Sequence, residues 1–592
     1  MLNRYYEDEL ARLKDLAVEF AAANPALAPM LSGRSTDPDV ERLLEGVAFL
    51  TGMARQKLSD EFPEFIQELA ALLFPHYLRP LPATSLVVFE RRGALTETVN
   101  VRAGIELASV PVDGTACTFR TTQSVDVHPL ALTSRLLESS GGPPTVQLDF
   151  SLQGVDLSRW STSSVRLFLS QGYADASKLL MLLSTEVATV RVRATVADSP
   201  SIELGASALQ ATGFDADLIP YPAHAFPGFR QLQEFFVQPE KFLFVDIVGI
   251  DRLPRSRATG FSVSIELKRI PSWLGELDDD LFALHIVPVI NLFSHHADPI
   301  SLDHRQSEYR VLAEGSNKRH YQVHSIDRVT SYRQGDARQR EYRAFGVLGR
   351  ADDRMTFDAV RTSARLDAVE SDDSLVYRTS LRPGSVAQDP EIYLSFAYPR
   401  NATPQAETLS IELTCTNRYL PESLRYGDIR VATSTSPERL SFRNIRPMTP
   451  AVNPPLGESL RWRILGHTAL NFFSLADAAN LRSLLSLYVF SERQEQGNEA
   501  ANRRRIAGIK GLVVTQETRM FGRRILRGQH IRMQCQLDHF AGIGDMFVFG
   551  SVIDRFLGAY AAINTFTRFE LEDIFSGEIF KWTPRLGQQT LL

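Results

Sequence analysis

Cysteine is almost absent. Three residues in 592, Cys117, Cys415 and Cys535, lie too far apart for a CxxC metal knuckle or a disulfide framework. Long hydrophobic runs are missing too: the most apolar stretches, 281–294 and 546–560, are short or broken by Pro288, Asp545, Asp554 and Arg555, so no direct membrane insertion is expected. The start, MLNRYYEDELARLKD, lacks the apolar core and small-residue cleavage site of a signal peptide, which places the expected residence in the cytoplasm. Excess charge of one sign is also lacking. A formal charge of -6 over this length gives no electrostatic reason to expect nucleic acid or an anionic membrane as the main partner.

Catalytic signatures are equally scarce. Cradling phosphate needs glycine-freed amides with a Lys and a Ser or Thr, as in GxxxxGK[ST], and no such stretch occurs; GIKG (508–511) reads as a turn. No GxSxG elbow and no HExxH spacing is present, and picking one acid–base pair among 70 acidic residues would be arbitrary. The expectation is a protein that is not an enzyme, with no catalytic residues and no cofactor.

What is present is ordinary globular composition, 44% hydrophobic and 23% charged, in a chain long enough for several cores. The fold class expected is α+β: multidomain, β-rich and antiparallel, with an N-terminal helical segment and a mixed C-terminal domain. Residues 1–80 show helical spacing. Tyr6, Leu10, Leu13, Ala17 and Phe20 line one face, and Asn24 before Pro25 ends the run. A second helix begins at Asp37 as N-cap and carries Val40, Leu44, Val47, Ala54 and Leu58; a third runs from Pro63 to Phe74. After Pro80 and Pro82 the period drops to two, and segments such as LVVFE, VQLDFSL and VRVRATV alternate polarity in a first β-rich domain, 84–215, with a helical insertion at Ala174 to Leu183. A second β-rich domain, 216–445, holds a short helix from Gln231 to Phe236 and a polar, charge-rich surface insertion near 330–385. Beyond the Pro-rich stretch 446–458 lies a C-terminal α+β domain, 459–592, in which Ser474 and Asp477 cap the helix LADAANLRSLLSLYVF.

The stretch Asn291 to Arg310, NLFSHHADPISLDHRQSEYR, invites a metal-site reading, because His295, His296, Asp298, Asp303 and His304 crowd together. Geometry argues against it. Adjacent histidines in a strand point to opposite faces, and Asp303 beside His304 has the same defect. No metal site is therefore expected. Asp298 before Pro299 starts a turn, and His304, Arg305 and Glu308 form a polar network or an exposed edge suited to a partner protein. The arginine groups NRRR (502–505), GRRILRG (522–528) and RQREYR (338–343) are read as ion-pairing with acidic groups of this chain or of an acidic partner. The aromatic words EFF and KFLF, with Tyr419 and Trp462, are read as core first and interface second.

Several longer words occur in order along the whole chain: MLNRYYEDELARLKDLAVEFAAANPALAPML, LLFPHYLRPLPATS, GFRQLQEFFVQPEKFLFVDI (228–247), NLFSHHADPISLDHRQSEYRV (291–311), LTCTNRYLP (413–421), LRWRILGHTALNFFSL (460–475) and FGSVIDRFLGAYAAINTFTR (549–568). Together they resemble the TssF family, also called VasA or ImpG, of type VI secretion baseplate proteins. The resemblance implies a structural subunit that assembles with a TssG-like partner, commonly two copies of this chain to one. With TssE and TssK it implies wedges around the VgrG spike and under the contractile sheath proteins, at the cytoplasmic face of the inner membrane. A second copy of the chain is thus an expected partner, and Leu10, Leu13, Val40, Leu44 and Val47 are the expected inter-chain helix contacts. Two alternatives stand beside it: a wedge protein of a phage-tail-like contractile injection system, and a metal-dependent enzyme using the 295–304 cluster.

Overall fold

The structure, a computed structural model, describes residues 2–23, 38–93, 96–137, 143–196, 199–222, 225–269, 281–333, 339–345, 375–384, 389–397, 405–468, 477–490 and 497–587. Among these residues the chain is a β-rich α+β protein with several antiparallel sheets and a mixed sheet near its C-terminal end.

The alternating segments become strands, and distant pairing sorts them into sheets. Thr84–Arg91 lies between Ile286–Ile290 and Leu440–Asn444 in a six-stranded sheet, with Thr84 opposite Ile290 and Phe89 opposite Phe442. Gly260–Leu267 lies between Thr145–Leu152 and Val187–Ala194 in a second sheet, and Phe244–Val248 pairs with Ser164–Leu169 in a third. Strands from 84–215 and from 216–445 therefore share sheets, and the boundary expected near 215 separates no independent core. Alternation reports a strand's period but not its partner, which is why the sequence suggests a break there. Arg340–Ala344 and Val376–Pro383, both inside the stretch expected as a surface insertion, extend the eight-stranded sheet built on Gln322–Arg333 and Glu407–Thr416.

In the C-terminal sheet, Arg524–Cys535 runs antiparallel to Ile509–Phe521 and parallel to Thr565–Asp573. A parallel pair needs a crossover, and the helix Ile543–Tyr560 supplies it. Of residues 508–511, expected as a turn, only Gly508 is one; Ile509 begins a strand with a bulge between Ile509 and Gly511.

Helices occupy both ends of the chain. Leu2–Ala23 packs against one continuous helix, Pro38–Leu73. The second and third helices expected from sequence are thus a single element: Pro63 removes one N–H, and the flanking turns carry the helix through. The helix end expected at Asn24 and the caps expected at Asp37 and Ser474 fall outside the described residues. Asp477 occupies the N-cap position of Ala478–Ser486 but makes no side-chain capping bond. The helix expected at 174–183 spans Tyr173–Thr185, and that at 231–236 spans Pro227–Val237.

One large apolar core runs from Ile66 on the long helix to Phe580 in the last sheet, and the eight-stranded sheet keeps a smaller core of its own. The three cysteines are free and buried, and burial pushes their thiols up to about 11 at Cys117 and about 12 at Cys415 and Cys535. They are packing residues.

Candidate assembly surfaces

The histidine-rich stretch becomes three short strands, Phe293–His296, Ile300–Leu302 and Tyr309–Arg310, joined by polar turns. His295 stacks on Tyr321 with ring centroids 5.0 Å apart and its Nε2 is 2.7 Å from the Glu314 carbonyl, whereas His296 is exposed. His304 has φ 59°, a left-handed turn position that His tolerates better than most residues, and its Nε2 is 2.8 Å from the Gln405 carbonyl. Asp303 accepts hydrogen bonds from the Arg305 amide (3.2 Å) and the Tyr309 hydroxyl (3.0 Å), and the amide bond leads in holding its carboxyl below the usual range. Glu308 turns inward to Arg382, 2.6 Å away. Arg305 turns outward, its side chain 87% exposed. His295, His304, Asp303 and Glu308 are therefore occupied by separate structural partners, and among the described residues no three His, Cys, Asp or Glu side chains gather as a metal-ligand set.

The N-terminal helices present a different surface. Leu10, Leu13 and Leu44 are half-buried where the two helices meet, Val47 is exposed, and the side chain of Val40 lies outside the described residues. Lys14 reaches Glu41 at 3.5 Å across the pair. Between residues 39 and 53, only Ala48 and Gly52 are buried among the described side chains, while Leu43 is 69% and Leu50 64% exposed. Leu16, Val18, Phe20, Phe49 and Met53 are exposed as well. Two helices can bury only the stripe between them, so the remaining apolar positions stay in water. Trp462, expected as a core aromatic, is also exposed, on a helix that touches the long one.

The far end of the long helix is held firmly. Ile66 and Ala70 enter the main core, Gln67 exchanges two hydrogen bonds with the Leu381 backbone (2.6 and 2.9 Å), and Glu68 meets Arg378 at 3.0 Å. The chain then enters a buried aromatic hub. Tyr77 Oη is 2.7 Å from His467 Nε2, His76 stacks on Tyr221 at 5.0 Å, Phe74 stacks on His467 at 4.6 Å, and Phe229 stacks on Tyr488 at 5.7 Å. Burial, reinforced by the Arg463 charge, pushes His467 down to about 3; burial also lowers His76, with His467 and Arg463 adding to it. Both histidines are neutral packing groups.

Three buried polar junctions were not singled out as sites by sequence reasoning. Glu234 forms an ion pair with Lys241, both essentially inaccessible, and its other oxygen accepts the amides of Leu218 (2.7 Å) and Ile219 (2.9 Å). Asp545 accepts Arg505 Nε (2.8 Å) and the Tyr173 hydroxyl (2.7 Å). Asn291 and Asn417 bond reciprocally, at 2.7 and 2.9 Å, tying two sheets together. A signal existed: Glu234, Lys241, Asp545 and Asn291 are polar residues set inside strongly apolar words. Of the NRRR arginines, Arg503 pairs with Glu499 at 2.5 Å and Arg505 is internal.

These surfaces and junctions can be set beside known proteins. The family described as "Type VI secretion system, TssF" matches residues 1–589. Type VI secretion system component TssF1 of Pseudomonas aeruginosa (PAO1) is 29% identical, with 99% of each chain covered. Among solved structures, a chain of the type VI secretion system TssK-TssF-TssG baseplate subcomplex superposes with TM-score 0.75 at 29% identity, covering 92% of this chain and 98% of that one. A chain of the baseplate complex from the type VI secretion system gives TM-score 0.61 at 26% identity over the full length of both. With its family signature running from the exposed N-terminal helices to the last sheet, this chain belongs to the TssF family of type VI secretion baseplate proteins.

Proposed function

We propose that this chain acts by assembly alone, as a baseplate subunit that performs no catalytic step. The observation that carries this reading is the N-terminal helix pair, on which exposed apolar side chains such as Leu16, Phe20, Leu43, Phe49 and Leu50 are concentrated. Exposed apolar area on that scale marks a protein interface. The relatives named above supply the setting. In this reading the chain joins a TssG-like subunit, two copies to one, and packs with TssK-like and TssE-like subunits into wedges around a VgrG-like spike, beneath the sheath. The wedges sit in the cytoplasm at the inner face of the inner membrane.

Leu10, Leu13 and Leu44 hold the helix pair together within this chain, and Val47, with exposed Leu43 and Leu50, belongs to the helix surface that meets the TssG-like subunit or the second copy. Around residue 304 the roles divide: Arg305 faces a partner, while His304 and Glu308 hold the turn that presents it. A platform that rearranges when the sheath contracts needs contacts that differ between two states, so moderate, separable interfaces serve it better than uniformly tight ones. Among the described residues no helix is long and apolar enough to cross a membrane, consistent with docking through other subunits.

Co-expression with the TssG-like subunit of the same system tests the reading. The expected result is a stable complex by size-exclusion chromatography, with loss of sheath assembly when this chain is deleted. A chain that remains monomeric at micromolar concentration, in cells that assemble sheath without it, overturns the proposal.

A further inference from the structure

The C-terminal sheet carries an arm that the helix-mediated assembly above leaves unused. Strands Ile509–Phe521 and Arg524–Cys535 form an antiparallel hairpin that turns at Gly522. Residues directly opposite each other in such a pair lie on the same face. On one face Leu512 opposes Met533 and Val514 opposes Ile531, and these pack into the main core. The same face continues outward through Thr518 and Arg527 to Met520 opposite Ile525, which are 68% and 69% exposed. An apolar face that starts inside the body thus ends in water.

Charge is concentrated on the same arm. Between residues 509 and 535 there are six Lys or Arg and one acidic residue, Glu517, in a chain whose formal charge is -6. Arg519, Arg523, Arg524 and Arg527 are exposed, and among the described residues none has an ion-pair partner. Arg519 and Arg524 sit on the face opposite Met520, and Arg523 is in the turn.

The arm also has a free edge. Ile509–Phe521 is the outermost strand of its sheet, and among the described residues no strand pairs with its outer side. Thr515, Gln516, Thr518, Arg519 and Met520 are all exposed. Exposed edges are normally blunted by charged side chains, proline, bulges or short length, and of these the outer half of this edge carries charge alone, Glu517 and Arg519. This strand has 13 residues, no proline, and its register shift lies at the inner end, between Ile509 and Gly511.

We propose that this edge accepts an extended segment of a neighbouring baseplate protein. The added strand places acidic residues beside Arg519 and apolar residues beside Met520. Main-chain hydrogen bonds along the edge supply affinity, and the alternation of Arg519 with Met520 selects a strand that itself alternates acidic and apolar residues. The arm fits protein better than nucleic acid. Single-stranded nucleic acid wants exposed aromatic stacking platforms, and the arm's aromatic residue, Phe521, is turned onto Phe566 with ring centroids 5.2 Å apart. The proposal rests on the baseplate role stated above, while using a surface separate from the N-terminal helices.

The test is photocrosslinking in cells that assemble the full secretion machine, with a benzophenone amino acid replacing Met520 in the full chain. The expected result is a crosslink, identified by mass spectrometry, to an alternating acidic–apolar segment of another baseplate subunit. Arg519→Glu combined with Arg524→Glu should lower its yield by at least about tenfold. Thr515→Pro should abolish it by blocking edge pairing; Gln516→Glu, which leaves the backbone intact, should weaken it and so guards against a merely unfolded arm. An assembled machine with no crosslink, a crosslink only to nucleic acid or only to a second copy of this chain, or a yield within about twofold after charge reversal overturns the proposal. Failure of the wild-type chain to co-purify with its TssG-like subunit would instead overturn the assembly role, and the arm's partner with it.

Discussion

Two helices of this chain treat similar composition in opposite ways. Ile543–Tyr560 has 15 of its 18 residues buried, including Asp545 and Asp554, which bond to Arg505 and Arg585. Pro38–Leu73 is also rich in Leu, Val, Phe and Met, yet along its first turns these side chains face water. The first helix is enclosed because it bridges two parallel strands and its glycines let neighbours approach: a Cβ on Gly544 would lie 2.2 Å from the Lys178 amide nitrogen. The second meets the N-terminal helix, the helix Glu458–Thr468 and the strand Val376–Pro383, and these neighbours leave Leu43 and Leu50 uncovered. Apolar content records what a helix could bury, and only the surroundings decide what it does bury.

The largest expected effect lies in the enclosed body. Glu234→Ala leaves the Lys241 ammonium buried without its counter-charge, and denaturant unfolding should show a loss of about 3–5 kcal/mol. A loss under about 1 kcal/mol would mean that the junction is not dry and would break the contrast. Gly544→Val forces a side chain against the 177–178 backbone and should cost about 1–3 kcal/mol, read by the same unfolding curve.

Acid sharpens the comparison next. His467 has its folded-state affinity for protons depressed to about 3, so the unfolded chain binds the proton first as pH falls. Its contribution is complete above the ordinary histidine range, near 6.5, and is lost between there and about 3, at up to about 1.4 kcal/mol per pH unit. Thermal melts between pH 7 and pH 4.5 should therefore fall, and His467→Phe should flatten that slope.

Around residue 304, Glu308→Ala removes the Arg382 partner and should cost about 1 kcal/mol, whereas Arg305→Ala should stay within about 0.5 kcal/mol. Equal losses in the two melts would contradict their opposite orientations. The smallest effect on folding belongs to Leu43→Asp combined with Leu50→Asp, within about 0.5 kcal/mol of wild type. The same pair should weaken binding of the TssG-like subunit by more than about tenfold, measured by titration calorimetry. Unchanged binding would show that these exposed leucines are not the interface.

Much of the architecture was legible beforehand. The change of period after Pro80 and Pro82 and the helix near 174 both follow from local spacing. Pro63 misled because proline usually ends a helix, and here the helix continues. In the 330–385 stretch, polarity hid two strands, Arg340–Ala344 and Val376–Pro383, because strands exposed on one or both sides carry no apolar alternation. In the candidate surfaces, no local pattern tells that Glu308 faces in and Arg305 faces out.

By itself, then, the sequence determined the class of fold, the order of helical and β-rich stretches, and the family, because these depend on periodicity and on words read within one short window. The tertiary structure alone decided which strands share a sheet, which charges are paired out of water, and which apolar stripes and strand edges are left exposed. Those outcomes depend on contacts between residues more than a hundred positions apart, such as Tyr77 with His467 and Asn291 with Asn417, and no local pattern encodes them.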